Sequence, residues 1–276
     1  QKGHRTIRKP PKTVLLVLKI WPKSGRKNTM IELNKIYNED CLEGMKRIPD
    51  GSIDMILCDL PYGTTACSWD VVIPLEPLWE QYNRVIKGNG AIVLTASQPF
   101  TSALVMSNIE MYRHEWIWIK NRGSNFANTI REPMKEHESA LMFSKGKWTY
   151  NKQMQERTGG GLDRIQYVVN FRSTSDNYRD FENRDGNKLP NLRVPSSWQK
   201  FNCEVGLHPT QKPVSLFEYL IKTYTNEGET VLDNCMGSGT TAIACINTNR
   251  YYIGFELDVK YLETANKRIY NACVIF

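Results

Sequence analysis

The chain has 276 residues, 41% hydrophobic and 24% charged, with 18 Gly and 13 Pro. That is enough to bury a sizeable core, and it excludes collagen-like and low-complexity classes; no run approaches the roughly 18 consecutive apolar residues of a membrane-spanning helix. The net charge of +7 is unevenly spread, because residues 1–29 hold nine Lys and Arg and no acid, which leaves the remainder slightly acidic.

That basic arm admits two readings. Its charge suits phosphate binding through counterion release. Met30, however, opens a conventional start (MIELNKIYNED), which favours an appended or upstream-translated segment. The apolar stretch 13–21 is broken by Lys19 and lacks a small-residue cleavage site, so a secretory signal is not expected.

From residue 30 onward, short β-branched runs alternate with amphipathic segments, the pattern of an α/β fold with a largely parallel sheet. In chain order the spacing predicts a strand at 35–38, a helix at 41–48, an apolar strand at 53–58 (IDMILC) and a helix at 75–87. Gly88-Asn89-Gly90 reads as a turn before a strand at 91–95. A helix at 100–109 and strands at 116–120 and 139–143 follow.

Residues 144–207 then change texture. They hold 11 basic and 7 acidic residues and eight aromatics (Trp148, Tyr150, Tyr167, Phe171, Tyr178, Phe181, Trp198, Phe201), with little periodicity. This segment reads as an insertion whose Arg and Lys suit nucleic-acid contact, while most of its aromatics suit a small core of their own. Regular texture resumes with a helix at 213–225, opened by Pro213. A strand at 230–234, a helix at 240–247, a strand at 251–256 and a helix at 258–269 complete the series, and 272–276 read as a tail. Seven cysteines at 41, 58, 67, 203, 235, 245 and 273 form no C-x-x-C, and four histidines show no ligand spacing. Zinc is therefore not expected, and reduced thiols in a cytosolic protein, mostly core fillers including Cys58 and Cys67, are.

Three segments carry chemistry. In VLDNCMGSGTTA (231–242), a strand ends in Asp233, and a loop with Gly237 and Gly239 opens a helix at Thr240, whose free N–H groups favour oxygen-rich ligands. The next strand ends in Glu256, at the offset where nucleotide-binding α/β folds place an acid on ribose hydroxyls. Together they suggest an adenosine-type site, against the alternative of a structural turn. The second segment is DLPY, directly after IDMILC. Asp59 offers an acceptor carboxylate, Leu60 a carbonyl, Pro61 stiffness and Tyr62 an aromatic face, a set that matches a planar ring bearing an exocyclic amine. The third is HPTQKP (208–213), where Lys212 could meet a carboxylate; taken singly, His208 and Lys212 read as a solvated loop.

With these motifs in order, NEDCLEGM, DLPYG, HPTQKP, DNCMGSGTT and FELD, the chain resembles the S-adenosylmethionine-dependent DNA amino-methyltransferases in their β-group motif order. The resemblance implies a circularly permuted, Rossmann-like, seven-stranded and mostly parallel sheet with one reversed strand. The strand order would begin at Thr230, pass Tyr251 and continue at Lys35. It implies a catalytic domain of 30–143 and 208–271, with 144–207 as the target-recognition insertion. By position, Asp40 and Cys41 would border the cofactor adenine, and Glu256 would hold the ribose. Lys212, Ser238 and Thr240 would lie by the methionine carboxylate, while Asp233, Gly237 and Gly239 shape the loop. Asp59, Leu60, Pro61 and Tyr62 would hold the target base, with Asp59 also beside the cofactor.

The implied partner is double-stranded DNA, on which a flipped base receives the methyl group by direct in-line transfer. Asp at the first motif position leans toward adenine N6. Cytosine N4, an RNA base, a protein glutamine and a catalytically silent DNA-binding module remain alternatives, and a homodimer or a restriction endonuclease partner stays open. No membrane or metal is implied, and the location is cytoplasmic. Leu60 replaces the usual first proline, and Cys235 stands where Phe or Pro is common; neither change removes a functional group.

Overall fold

The computed structural model describes residues 31–65, 67, 70–157, 191–204, 206 and 211–274. The basic arm, most of the insertion (with Arg164, Arg172, Arg179, Arg184 and four of its aromatics), His208 and the last two residues lie outside them. The described chain falls into two units, the larger one containing residues up to Tyr150 and from Trp198 onward, the smaller one Asn151–Ser197.

The larger unit is built on one sheet. Its strands are β1 (Lys35–Tyr37), β2 (Ile53–Asp59), β3 (Ile86–Ala96), β4 (Tyr112–Ser124), β5 (Lys135–Phe143), β8 (Trp198–Lys200), β9 (Thr230–Asp233) and β10 (Tyr251–Phe255). They lie in the order β1-β10-β9-β2-β3-β5-β4-β8. Among the described strands of this sheet, only β5 runs against its neighbours, pairing antiparallel with β3 and β4. The expected seven strands with one reversal are therefore present, and the order runs outward from Thr230 through Tyr251 to Lys35 as expected. An eighth strand, β8, joins β4 at the far edge; its three residues, WQK, fall within the stretch that composition had set apart.

β2 is apolar because both its faces are covered, as in any buried parallel strand. Ile53, Ile56 and Cys58 face one core with Met45, Leu78, Tyr82 and Leu104. Met55 and Leu57 face the other with Phe217, Leu220, Ala242 and Cys245. Helices α1 (Cys41–Met45), α2 (Leu75–Val85) and α3 (Phe100–Ser107) thus cover one side, and α4 (Val214–Tyr224), α5 (Thr240–Asn247) and α6 (Val259–Val274) the other. Asp40 caps α1, its Oδ1 accepting from the backbone N–H of Leu42 and Glu43 at 2.8 and 3.2 Å.

Two local expectations change. Gly88-Asn89-Gly90 is no turn, since β3 runs through it and its register against β2 slips between Ile53 and Met55. The turn residues sit in the bulge, while Ile86 and Ala91 on either side still pair. Cys67 is exposed rather than core filler, as is Cys273, whereas Cys41, Cys58 and Cys245 are buried. Trp148 and Phe201 pack on the α4–α5 side core, and Trp198 is exposed.

In the smaller unit, β6 (Gln155–Glu156) and β7 (Leu192–Arg193) form a short antiparallel ribbon. Arg157 Nε donates to the Leu192 carbonyl and Arg193 Nη1 to Ser196 Oγ.

Candidate active site

β2 and β9 are sheet neighbours, with Met55 opposite Val231 and Ile56 opposite Leu232. After β2 the chain turns to the face covered by α2, and after β9 to the face covered by α5. Diverging exits from adjacent parallel strands leave a crevice at their carboxyl ends, the usual ligand position in open α/β sheets. Here it is a cleft of about 600 Å³. Asp59, Leu60, Pro61 and Tyr62 line one side, and Asp233, Gly237, Ser238 and Thr240 the other, with Asp40, Cys41, Lys212 and Glu256 around them. Thus two segments more than 170 residues apart in the chain share one cleft, together with every other expected site residue except Gly239, which sits behind the loop.

At the end of β2 the apolar run stops at Asp59, whose carboxylate is held by three donors. Its Oδ1 accepts from the Tyr62 hydroxyl at 2.8 Å and from Thr95 Oγ1, and its Oδ2 from Lys212 Nζ at 2.7 Å. Lys212 is 5% exposed and lies 3.3 Å from Glu138 Oε2, while Lys120 closes on the other oxygen of Glu138. Charges therefore alternate along Lys120, Glu138, Lys212 and Asp59. Burial opposes the Lys212 ammonium, but Asp59, Tyr62 and Glu138 outweigh it and hold its pKa well above the ordinary lysine value. Burial and the Asp59 charge raise the Tyr62 phenol well above its usual range, so it remains a neutral donor. Its ring stacks on Phe100, 5.3 Å between centroids.

The segment after Tyr62 is held by Asp70, whose carboxylate accepts three consecutive backbone N–H groups, of Gly63, Thr64 and Thr65, at 2.7–2.9 Å. Across the cleft, Asp233 Oδ1 accepts from the Cys235 N–H at 3.0 Å and Oδ2 from the Thr241 hydroxyl. Burial pushes Asp233 up to about 6. Gly239 begins α5 at φ 86°, and a Cβ there would meet the Ala265 Cβ at 2.9 Å; only glycine fits both the backbone and the neighbour. Glu256 Oε2 accepts from the Gly237 N–H at 2.7 Å and Oε1 from the Asp258 N–H at 2.8 Å, so the acid expected at a ribose also braces the glycine loop. Desolvation raises its pKa.

Among the described residues, seven carboxylates line the cleft (Glu39, Asp40, Asp59, Asp70, Asp233, Glu256 and Asp258), against one base, Lys212. Such a surface attracts a cation. Cys41 and Cys235 line the cleft, and the buried thiol of Cys58 lies against Cys235. Burial pushes Cys58 up to about 12, which leaves it an inert thiol.

Sequence reasoning missed four residues. Thr95 could have been found as a lone polar residue closing the apolar run AIVLT. Asp70 and Glu138 carried no signal of that kind. Nor did Arg268, whose Nη1 donates to the Ser238 carbonyl at 2.8 Å and to Ser238 Oγ at 3.1 Å.

Residues 53–267 match the DNA methylase family N6_N4_Mtase. The type II methyltransferase M.HpaI of Haemophilus parainfluenzae is 30% identical over 250 residues, covering 85% of this chain and 74% of that one. M1.MboII of Moraxella bovis, also a type II methyltransferase, is 28% identical over 254 residues, covering 86% and 96%. Among solved structures, an M1.HpyAVI–SAM complex aligns at TM-score 0.59 with 28% identity over 85% of this chain and 98% of that one. The PvuII DNA methyltransferase, described as cytosine-N4-specific, aligns at TM-score 0.61 and 14% identity over 88% and 92%, a likeness of fold.

Proposed function

This chain belongs to the N6/N4 DNA methylase family, and from that premise we propose that it methylates the N6 amine of adenine in duplex DNA, with S-adenosyl-L-methionine as donor. One observation carries the reading: Asp59 and the Gly237 loop face a single acidic cleft.

The residues present suit that donor. A sulfonium is a cation, and seven carboxylates surround the space. Gly239 gives the loop a conformation and a close approach that a side chain would deny. Asp40, Cys41, Leu257 and Glu256 would border the nucleoside, and Ser238 and Thr240 the amino-acid end. When bound, the donor supplies a methyl group activated by its positive sulfur.

The protein's own part is positioning. An exocyclic amine is a weak nucleophile because its lone pair is delocalised into the ring. Asp59 and the Leu60 carbonyl would accept its two hydrogens, favouring a tetrahedral nitrogen whose lone pair is free to attack. Lys212 holds Asp59 in place through its ammonium. Tyr62, backed by Phe100, offers a flat face to a base taken out of the stack. Alkylation makes the nitrogen strongly acidic, and the Asp59 carboxylate that accepts its hydrogen lies in place to receive the proton it sheds. Adenine is assigned from Asp, rather than Ser, at the first motif position.

The test is labelled methyl transfer to unmethylated duplex DNA, with RNA as competitor, followed by identification of the modified nucleoside. N6-methyladenine is expected, and Asp59→Ala should abolish transfer while donor binding persists. N4-methylcytosine as product would overturn the base assignment; full activity in Asp59→Ala would overturn the mechanism.

A further inference from the structure

The hairpin that carries Glu138 into the site ends in a turn with no counterpart in the mechanism above. Between β4 and β5, residues 125–134 present Phe126 at 79% exposure and Ile130 at 92%, the most exposed large apolar side chain among the described residues. This is not loose chain. Phe126–Asn128 form a turn of 3-10 helix, and Asn125 takes the left-handed conformation at φ 70°. The Arg131 and Glu132 N–H groups both donate to the Asn128 carbonyl, at 2.9 and 3.1 Å. Thr129 Oγ1 donates to the Phe126 carbonyl at 2.8 Å, and the Asn125 amide closes on the Glu132 carboxylate. A fold that builds so many bonds into a turn yet leaves its two largest apolar side chains in water has ordered them in advance of some contact.

Charge identifies the contact. Within 121–135 stand Arg122, Arg131 and Lys135 against one acid, Glu132, and that acid is already occupied by Asn125. Apolar side chains among cations match a nucleic acid, which offers flat base faces between phosphates. Place agrees as well. Ala140 on β5 pairs with Thr95, and Thr95 with Asp59, while Glu138 touches Lys212. Lys135 lies three strand residues beyond Glu138, so the turn starts roughly 10 Å past the charge chain on the cleft's edge of the sheet. A base swung out of a duplex travels a distance of this order.

Resting on the reading of this chain as a base-flipping DNA methylase, we propose that the 125–134 turn enters the duplex. Phe126 and Ile130 occupy the stack that the target base leaves, and Arg122, Arg131 and Lys135 hold the flanking phosphates. Apolar wedges of this kind stabilise unstacked steps in other DNA-binding proteins.

The experiment uses the full chain and a duplex containing its modified site, mapped beforehand by sequencing. One duplex pairs the target normally; a second places an abasic site opposite it, so that extrusion is already easy. Phe126→Ala/Ile130→Ala should lower kcat/KM on the paired duplex about tenfold or more, and less than about threefold on the abasic one. A fluorescent base analogue at the target should brighten with wild type and stay dim with the variant. Equal losses on both duplexes, or no loss, would overturn the proposal. So would unchanged DNA kinetics with a loss of self-association, which would make the turn a protein contact. Absence of any methyl transfer to DNA by the wild type would instead sink the underlying function.

Discussion

Lys212→Met tests the charge chain most directly. It removes a buried ammonium that contacts Asp59 at 2.7 Å and Glu138 at 3.3 Å, leaving two carboxylates near each other without their shared cation. Breaking a buried pair from one side costs about 3–5 kcal/mol. The Asp59 side chain is 25% exposed, so water recovers part of this and the lower end, about 3 kcal/mol, is expected. Glu138 keeps Lys120 as a partner, and Glu138→Gln removes the second carboxylate that Lys212 had neutralised. The double variant should therefore be less unstable than the two single losses summed, by about 1 kcal/mol or more. Because Lys212 is raised above its ordinary pKa, its stabilisation is complete below that value and is lost only on titration above it. The wild-type advantage should thus be flat between about pH 7 and pH 9. Urea unfolding of the four proteins gives the cycle. Turnover should fall about 100-fold or more in Lys212→Met, mainly in kcat, because an unanchored Asp59 no longer orients the amine. Glu138→Gln, acting through Lys212, should lower kcat per folded molecule with little change in KM, the folded fraction being read from the same urea curves. Strict additivity in the cycle, or an unchanged kcat in Lys212→Met, would refute the reasoning.

Two further outcomes follow from the glycine loop. Gly239→Ala forces a residue with a Cβ into a left-handed conformation, about 1–2 kcal/mol, and crowds Ala265, about 1–3 kcal/mol more; the thermal midpoint should drop by roughly 5 °C or more, and a midpoint matching wild type would contradict the geometry. Asp233, raised to about 6 from 3.8, holds its proton more tightly folded than unfolded, so the stability it contributes is greatest in acid and is lost as pH rises through about 6. Asp233→Asn has no such loss and should gain on wild type by about 2 kcal/mol between pH 4 and pH 7; parallel pH–stability curves would rule this out.

What the sequence made legible was local. IDMILC reads as a strand because both faces of β2 are covered, and the helices from α2 to α6 show in the spacing of their apolar faces. β8 was hidden because three residues, WQK, hold no periodicity and pair only through the position of β4. The glycines at 88 and 90 carry a true turn signal, but pairing on both sides of them with β2 outweighs it. In such cases tertiary pairing decides what propensity alone leaves open.

The same division runs through the site. DLPY and the glycine loop could be found because their groups lie next to one another in the chain. Lys212, in contrast, meets Asp59 across 153 residues, and Glu138 reaches it only because β5 is reversed between β3 and β4. Reversal brings the start of β5, rather than its end, to the cleft's edge of the sheet, where a polar residue can precede the apolar run SALMF. A parallel β5 would deliver Phe143 to that edge and leave Lys212 with one carboxylate in place of two. Sheet direction is therefore part of the charge balance at Asp59, and it is the part that a linear reading of motifs could not supply.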